Sequence, residues 1–181
     1  MKATLFIVSG APASGKTTVS AAIADKLGGV PLFQKDWFKE HLFNSVGIGD
    51  RGWSRQLGNA SFSLLYDTAK ELLSKGISTM IEANFKQVAV GAIIELGQQN
   101  NAQIIELHCT ADHAVIMKRF IERIDIDRHP GHVDAENIEL LRGDLEEESY
   151  RQLFSDALRI DTTNFSAINY DALVKQIRSR L

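Results

Sequence analysis

Cysteine, long apolar runs and a secretion signal are scarce or missing in this sequence. Cys109 is the single cysteine among 181 residues, which excludes a disulfide within the chain and a cysteine-based zinc site. The longest apolar runs, such as residues 5–8, fall far short of the roughly 18 residues that cross a bilayer. The first residues hold one lysine and a strand-like segment, without an apolar region and a small-residue cleavage site. We therefore expect a cytoplasmic protein with no membrane segment, in which Cys109 is a small buried residue.

An excess of charge of one sign is also missing. The 20 Lys and Arg residues against 23 Asp and Glu residues give a formal net charge of −3. Only a local basic patch would attract a polyanion, so a nucleic-acid partner is possible but disfavoured. Hydrophobic residues make up 44% and charged residues 24%, which excludes disordered and collagen-like classes. The length suits one domain over residues 1–181, and the sequence does not indicate its oligomeric state.

Strand-like and helix-like segments alternate along the chain. The strand segments are short apolar or β-branched runs, and the helix segments carry apolar residues at helical spacing. Strands are predicted at residues 4–9, 31–34, 77–83, 102–109 and 158–161. Helices are predicted at residues 17–27, 37–46, 54–75, 88–96, 112–126, 135–151 and 170–180, with Ser54 capping the third. This alternation predicts an α/β protein with a parallel sheet covered by helices on both faces.

The most specific motif lies between the first strand and the first helix. Residues 10–17 read GAPASGKT and fit the phosphate-loop pattern G-x-x-x-x-G-K-[ST] in its strand–loop–helix context. Glycines let backbone N–H groups converge on phosphate oxygens, and the start of the next helix adds positive partial charge. Lys16 is expected to contact the β- and γ-phosphates, and Thr17 to bind Mg²⁺. The residues predicted to bind the nucleotide are Gly10, Ala11, Pro12, Ala13, Ser14, Gly15, Lys16, Thr17 and Thr18.

We expect the nucleotide to be ATP. The loop at residues 10–17 lacks the glycine spacing of dinucleotide-binding loops. The chain also has no Asn-Lys-x-Asp segment of the kind that reads guanine. The simpler alternative is a glycine-rich turn with a surface lysine, which the agreement of pattern and context disfavours.

Further segments add a family resemblance. Asp36 follows the second predicted strand, residues 82–85 read Glu-Ala-Asn-Phe after the third, and arginines precede Arg-His-Pro-Gly-His at residues 128–132. Together with the phosphate loop, this order resembles small P-loop kinases of the zeta-toxin, chloramphenicol-phosphotransferase and polynucleotide-kinase type. These AAA-like kinases are relatives of gluconate and shikimate kinases. The resemblance extends over nearly the whole chain.

The resemblance implies a fold and a reaction. The fold is the P-loop NTPase three-layer sandwich with a five-stranded parallel sheet in the order 2-3-1-4-5. The acceptor is implied to bind over the carboxyl ends of the strands, under an arginine-bearing lid at about residues 119–135. The reaction is an ATP- and Mg²⁺-dependent transfer of the γ-phosphoryl group to a hydroxyl of a small molecule. The alternatives are a nucleoside or nucleic-acid 5′-hydroxyl kinase and a non-catalytic ATP-binding switch protein.

Individual residues receive roles from this resemblance. Asp36 is implied to meet the acceptor hydroxyl, although it could also cap the helix at residues 37–46. Glu82 is implied to hold Mg²⁺ through water or to position substrate, whereas a solvated strand end is the alternative. Asn84 is implied to bind the acceptor or to orient a loop.

Three arginines are candidates for the lid. Arg119 and Arg123 are four residues apart and share one face of a helix, and Arg128 follows in the break before Pro130. They are expected to reach the transferring phosphoryl group, whereas a face of ordinary salt bridges is the alternative.

Three more groups of residues are weaker candidates. His129 and His132 resemble half of a zinc site but lack cysteine partners, so we expect hydrogen bonding or solvation. Arg51, Trp53 and Arg55 are candidates for acceptor contacts or for surface packing. Residues 161–164 follow the last strand and are implied to contact adenine or ribose, although helix caps at Ser166 or Asn169 compete with this role.

Overall fold

A parallel sheet forms the centre of the computed structural model, which describes residues 2–126 and 128–181. Asp127, inside the predicted lid, lies outside the described residues. The strands are β1 (Thr4–Ser9), β2 (Leu32–Gln34), β3 (Thr79–Glu82), β4 (Gln103–Thr110) and β5 (Leu158–Asp161). They are hydrogen-bonded in the order β2-β3-β1-β4-β5, which confirms the predicted order and fold class. In the described part of the chain all four strand pairings are parallel.

Helices cover both faces of the sheet. They are α1 (Lys16–Lys26), α2 (Lys35–Val46), α3 (Arg51–Ser74), α4 (Val90–Gln99), α5 (His113–Ile126), α6 (Ile138–Glu146) and α7 (Tyr170–Arg178). Successive residues of β1 point to opposite faces, as expected for a strand. Leu5 and Ile7 pack with α3 and α4, whereas Phe6 and Val8 pack with α1 and α7. The continuous burial of β1 therefore follows from helices on either side.

Two of the predicted helices need correction. α3 begins at Arg51 and its N-cap is Asp50, whose carboxylate accepts from the Trp53 N–H at 2.8 Å. Ser54 lies inside the helix, where its buried hydroxyl donates to the Gly131 carbonyl oxygen at 2.7 Å. The helix predicted at residues 135–151 is shorter, because residues 134–137 form a 3₁₀ turn and Glu148 adopts a positive φ of 51°.

The strand register places the candidate residues at one edge of the sheet. Glu82, the last residue of β3, is paired with Val8 of β1 and with Gln34 of β2. The phosphate loop follows β1 directly, and α2 begins immediately after β2. The loop, Glu82 and Asp36 therefore meet at the carboxyl ends of neighbouring strands. None of the described helices is long and apolar enough to cross a membrane.

A buried carboxylate ties β4 to the segment before β5. Glu106 is 3% exposed, and its Oε2 accepts from the backbone N–H groups of Leu153 at 2.9 Å and Phe154 at 2.8 Å. Its Oε1 accepts from the buried Ser9 hydroxyl. Because Glu106 satisfies buried donors on β1 and in the segment before β5, it stabilises the fold.

We expect Glu106→Gln to lower the free energy of unfolding by about 2 kcal/mol, because an amide NH₂ then faces a buried N–H donor. Urea denaturation measures this change. The matched control is Glu139→Gln, at a side chain that is 82% exposed, with an expected change below about 0.5 kcal/mol. Equal changes in the two variants would show that the Glu106 network adds nothing to stability.

Candidate active site

The loop after β1 has the backbone geometry of an anion cradle. Gly10 and Gly15 adopt positive φ angles of 138° and 80°. A Cβ at Gly10 would lie 2.2 Å from the Cys109 carbonyl oxygen, and one at Gly15 would lie 2.6 Å from the Phe165 ring. Both positions therefore require glycine. The loop ends at the first residue of α1, where free N–H groups favour a bound anion.

Lys16 and Glu82 face each other inside the site. Lys16 is 5% exposed, and its Nζ donates to the Ala11 carbonyl oxygen at 2.7 Å. Burial lowers the pKa of Lys16, and the charge of Glu82 partly offsets this effect. Burial likewise raises the pKa of Glu82, against the charge of Lys16. The charge of each group therefore opposes the effect of burial on the pKa of the other.

Thr17 and Glu82 offer oxygen ligands for a cation. The Thr17 hydroxyl donates to Glu82 Oε2 at 3.1 Å, so the two side chains converge as the sequence predicts. No group of three or more His, Cys, Asp and Glu side chains in the described ranges could hold a metal by itself. Mg²⁺ keeps several waters and takes one or two carboxylates together with phosphate oxygens. A hydroxyl and a carboxylate beside a phosphate loop fit this preference.

Asp36 faces the loop from the start of α2. Its Oδ2 accepts from Arg128 Nη2 at 2.9 Å, and its Oδ1 accepts from Lys35 Nζ at 3.1 Å. Burial alone would raise the pKa of Asp36, but the charges of Lys35 and Arg128 bring it well below its usual range. The helix-cap alternative is wrong, because α2 begins one residue earlier and Gln34 occupies the N-cap position. Asp36 is an ionised carboxylate held between two cations.

Two of the three candidate arginines have unused donors. Among the described residues, Arg119 Nη1 and Arg123 Nε are buried without a hydrogen-bond partner. The other contacts of Arg119 are to the Thr162 and Thr163 carbonyl oxygens at 2.9 and 3.2 Å, with its guanidinium 4.5 Å from the Phe165 ring. Arg123 Nη2 donates to Asp134 at 2.9 Å. Orphaned cationic donors beside a phosphate loop match the charge of a phosphorylated ligand.

The segment around residues 129–134 packs down on α2. The His129 ring stacks on Phe43 at 5.2 Å, and a Cβ at Gly131 would lie 2.6 Å from the Phe43 ring. His132 Nε2 lies 2.9 Å from Glu40 Oε1, and Arg128 Nε donates to Asp134 at 2.8 Å. His129 Nε2 lies 3.2 Å from Asn44 Oδ1, so both histidines are within hydrogen-bonding distance of side chains on α2.

Two cavities meet at this site. The first, of about 460 Å³, is lined by residues of the phosphate loop, Glu82, Arg119 and Phe165. The second, of about 280 Å³, lies between α2 and α6. Their shared wall consists of Asp36, Asn84, Arg123 and Arg128. One ligand can therefore occupy the loop cavity while a second approaches it across Asp36.

The other predicted site residues lie at the edges of the two cavities or outside them. Pro12 lines the second cavity, and Ala13 and Thr18 line the first. Arg51, Trp53 and Arg55 line neither cavity, and the Trp53 indole donates to the Gly47 carbonyl oxygen at 3.0 Å.

The segment after β5 supports the loop. The Thr162 hydroxyl donates to the Ser14 carbonyl oxygen at 2.8 Å, and Asn169 caps α7. Phe165 closes over Gly15. Sequence reasoning missed Phe165, which carries no motif and reaches the loop only through the tertiary fold.

Sequence reasoning also missed Lys35 and Lys39. They lie one turn apart on α2 and line the second cavity. Their i,i+4 spacing was visible in the sequence, but it is equally typical of a solvated helix face.

Known proteins share this architecture. The AAA_33 family model, described as an AAA domain, matches residues 5–147. A presumed kinase from Chloroflexus aurantiacus is 35% identical, with a TM-score of 0.89 and full coverage of both chains. A shikimate kinase from Bacteroides thetaiotaomicron is 19% identical, with a TM-score of 0.57 and 97% coverage of both chains. A gluconokinase from Sinorhizobium meliloti is 13% identical, with a TM-score of 0.54 and coverage of 97% of this chain and 89% of the other.

No curated protein matches the sequence. The match to the family model covers most of the chain, and the Chloroflexus protein is similar along its whole length. The more distant kinases share the sheet and the helices around it. The chain belongs to the AAA_33 family and has the fold of a small P-loop kinase.

Proposed function

We propose that this protein is an ATP- and Mg²⁺-dependent phosphotransferase that moves the γ-phosphoryl group to a hydroxyl of a small molecule. The observation that carries the proposal is the shared wall of the two cavities, where Asp36 and Arg123 stand between the phosphate loop and a second ligand space. A phosphoryl donor and an acceptor placed there would meet without crossing bulk water.

The loop cavity holds the nucleotide in this proposal. Backbone N–H groups of residues 10–17 and the Lys16 ammonium bind the phosphates. Arg119 and Phe165 stack on each other and line the same cavity beside Gly15, where they offer a flat surface for the adenine ring. The named relatives are kinases, which favours ATP over a dinucleotide.

Thr17 and Glu82 hold the metal ion in this proposal. When bound, Mg²⁺ neutralises charge on the phosphate oxygens. Glu82 supplies a carboxylate where P-loop proteins commonly have an aspartate, and its Oε2 lies 3.1 Å from the Thr17 hydroxyl, so the two oxygens can share one hydrated ion. Arg123 adds a fixed positive charge on the acceptor side.

Asp36 positions the acceptor hydroxyl. Because Lys35 and Arg128 keep its pKa low, the carboxylate stays ionised and accepts a hydrogen bond from the hydroxyl. Phosphoryl transfer passes through a loose transition state that demands alignment more than a strong base. The segment at residues 119–135 acts as the lid, since it carries Arg119, Arg123 and Arg128.

We expect Asp36→Asn to lower kcat by about 10²-fold while ATP affinity is retained, because the amide keeps an acceptor oxygen but loses the charge that holds Arg128. Acceptor-dependent ADP release and calorimetric titration with ATP measure the two effects. Asp171→Asn, at an exposed side chain paired with Lys26, is the control. A kcat within about threefold of the wild type would show that Asp36 does not position the acceptor hydroxyl.

The proposal is tested with a panel of sugars, sugar acids, antibiotics, nucleosides and 5′-hydroxyl oligonucleotides, each followed for acceptor-dependent ADP release. Stimulation by small molecules is the expected result. Stimulation by oligonucleotides alone, falling steeply with salt, would replace it with a nucleic-acid 5′-hydroxyl kinase. ATP binding without stimulation by any member would favour a switch protein.

Cys109 lies outside the chemistry proposed here. Cys109 is 1% exposed, and burial raises the pKa of its thiol to about 12. The thiol is therefore an inert part of the core and has no role in the proposed transfer.

A further inference from the structure

The second cavity contains two lysines, of which Lys35 contacts Asp36 and Lys39 has no role in the transfer proposed above. Lys35 and Lys39 project from successive turns of α2 and line the cavity beyond Asp36. Neither of them lines the cavity of the phosphate loop. Their ammonium groups therefore face whatever ligand occupies the acceptor side.

Lys39 is buried without a counter-ion. It is 8% exposed, and its Nζ donates to the Ser54 hydroxyl at 2.9 Å and lies 5.2 Å from the Phe43 ring. Among the described residues, no carboxylate forms a salt bridge with it. A buried ammonium in such surroundings is costly, because a hydroxyl and a ring face replace only part of its hydration.

Lys35 brings a second positive charge close to the first. The Nζ atoms of Lys39 and Lys35 would lie 3.9 and 4.0 Å from a Cβ at Gly58 of α3, so the two ammonium groups flank the same glycine. Like charges at i,i+4 repel each other, and burial strengthens the repulsion. Gly58 leaves open the space that a larger side chain would fill between them.

The carboxylates around the cavity are already engaged elsewhere. Asp134 accepts from Arg123 and Arg128, and Asp144 accepts from Lys86 and the Tyr150 hydroxyl. Asp36 contacts Lys35 but is also bound to Arg128. Asp36 and Asp134 act on Lys39 only at a distance, and no described carboxylate forms a salt bridge with it.

We propose that the acceptor carries an anionic group, a carboxylate or a phosphate, which binds Lys39 and Lys35 while the reacting hydroxyl lies at Asp36. This inference rests on the proposed phosphotransferase function and names its substrate class. An anion between the ammonium groups offsets their repulsion and supplies the missing partner of Lys39. It also orients the acceptor, because its two ends are then held at opposite sides of the cavity.

The protonation of Lys39 is compatible with this role. Burial and the neighbouring charge of Lys35 lower the pKa of Lys39 to about 8. The group is therefore still mainly charged at neutral pH, and a bound anion would stabilise the charged form further.

The test uses pairs of probes that share a hydroxylated carbon skeleton and differ in charge. The pairs are gluconate against glucitol, and glycerol 3-phosphate against glycerol. Binding is measured by calorimetry in the presence of ADP. We expect at least one anionic probe to bind and its neutral partner not to. Lys39→Met should weaken that binding by about tenfold to a hundredfold, the worth of a charge-assisted hydrogen bond. The carboxylate and phosphate pairs show which anion the site prefers.

Lys39→Gln serves as a second neutral variant if the Met variant does not fold, and Lys70→Met, at an exposed position of α3, is the control. Binding that is unchanged in both Lys39 variants, absent for both anions, or equal for neutral partners would overturn the inference. Acceptor-dependent ADP release is recorded separately. Anion binding through Lys39 without ADP release from any acceptor would refute the proposed kinase but leave the anion site. ADP release with neutral acceptors alone would support the kinase and refute the anionic acceptor.

Discussion

Lys16→Met is expected to lower kcat/KM for ATP by about 10³-fold or more, because the variant loses the ammonium that the loop directs at the phosphates. Methionine keeps most of the buried aliphatic stem and removes only the charge. Glu82 then lacks its cationic neighbour, but burial already raises its pKa, so it can take a proton instead of destabilising the fold. Calorimetric titration with ATP and steady-state ADP release measure the loss.

The control for this prediction is Lys26→Met at the other end of α1. Its side chain is 42% exposed and pairs with Asp171 at the surface. We expect wild-type kinetics from this variant and an unchanged far-UV circular dichroism spectrum from both. Wild-type ATP affinity and turnover in Lys16→Met would show that residues 10–17 do not bind the nucleotide.

Arg123→Ala is expected to reduce kcat by about 10³-fold with little change in ATP affinity, as for an arginine that stabilises charge in the transition state. Arg123 lines both cavities, and its Nε is a buried donor without a partner among the described residues. Its loss leaves Asp134 bound to Arg128, so the neighbouring ion pair survives. Single-turnover kinetics separate the transfer step from product release.

Arg142→Ala on α6 is the matched control, because its side chain is 52% exposed and pairs only weakly with Glu139. Arg119→Ala offers a useful contrast. We expect it to weaken ATP binding more than it lowers kcat, since Arg119 packs on Phe165 and both residues line the loop cavity but not the second cavity. If Arg123→Ala retained the wild-type kcat, stabilisation of the phosphoryl group would have to come from another residue.

Local patterns accounted for much of the fold. The glycines of the phosphate loop act through their own backbone angles, so the motif and its context were sufficient to predict the anion cradle. β5 was predicted at its observed bounds, because Leu158 and Ile160 alternate with charged residues, which is the pattern of a half-buried strand. The strand order came from the family resemblance, and periodicity alone did not provide it.

Contacts between distant segments could not be predicted from local sequence patterns. Arg128 reaches Asp36 across 92 positions of sequence, and together with Lys35 it keeps the pKa of Asp36 well below its usual range. Ser54 has the residue type of an N-cap, yet the fold uses its hydroxyl between Lys39 and Gly131. Local propensity could not anticipate either role, because each depends on where the segment after α5 packs.

The central claim is tested most directly by ³¹P NMR of the wild-type protein with ATP, Mg²⁺ and an acceptor selected from the anionic members of the panel. The account predicts that the γ-phosphate signal of ATP decays while a new phosphomonoester signal grows in equal amount to ADP. It also predicts that both changes are lost in Lys16→Met. Formation of ADP with inorganic phosphate alone, at a rate independent of the acceptor, would contradict the account and identify an ATPase instead.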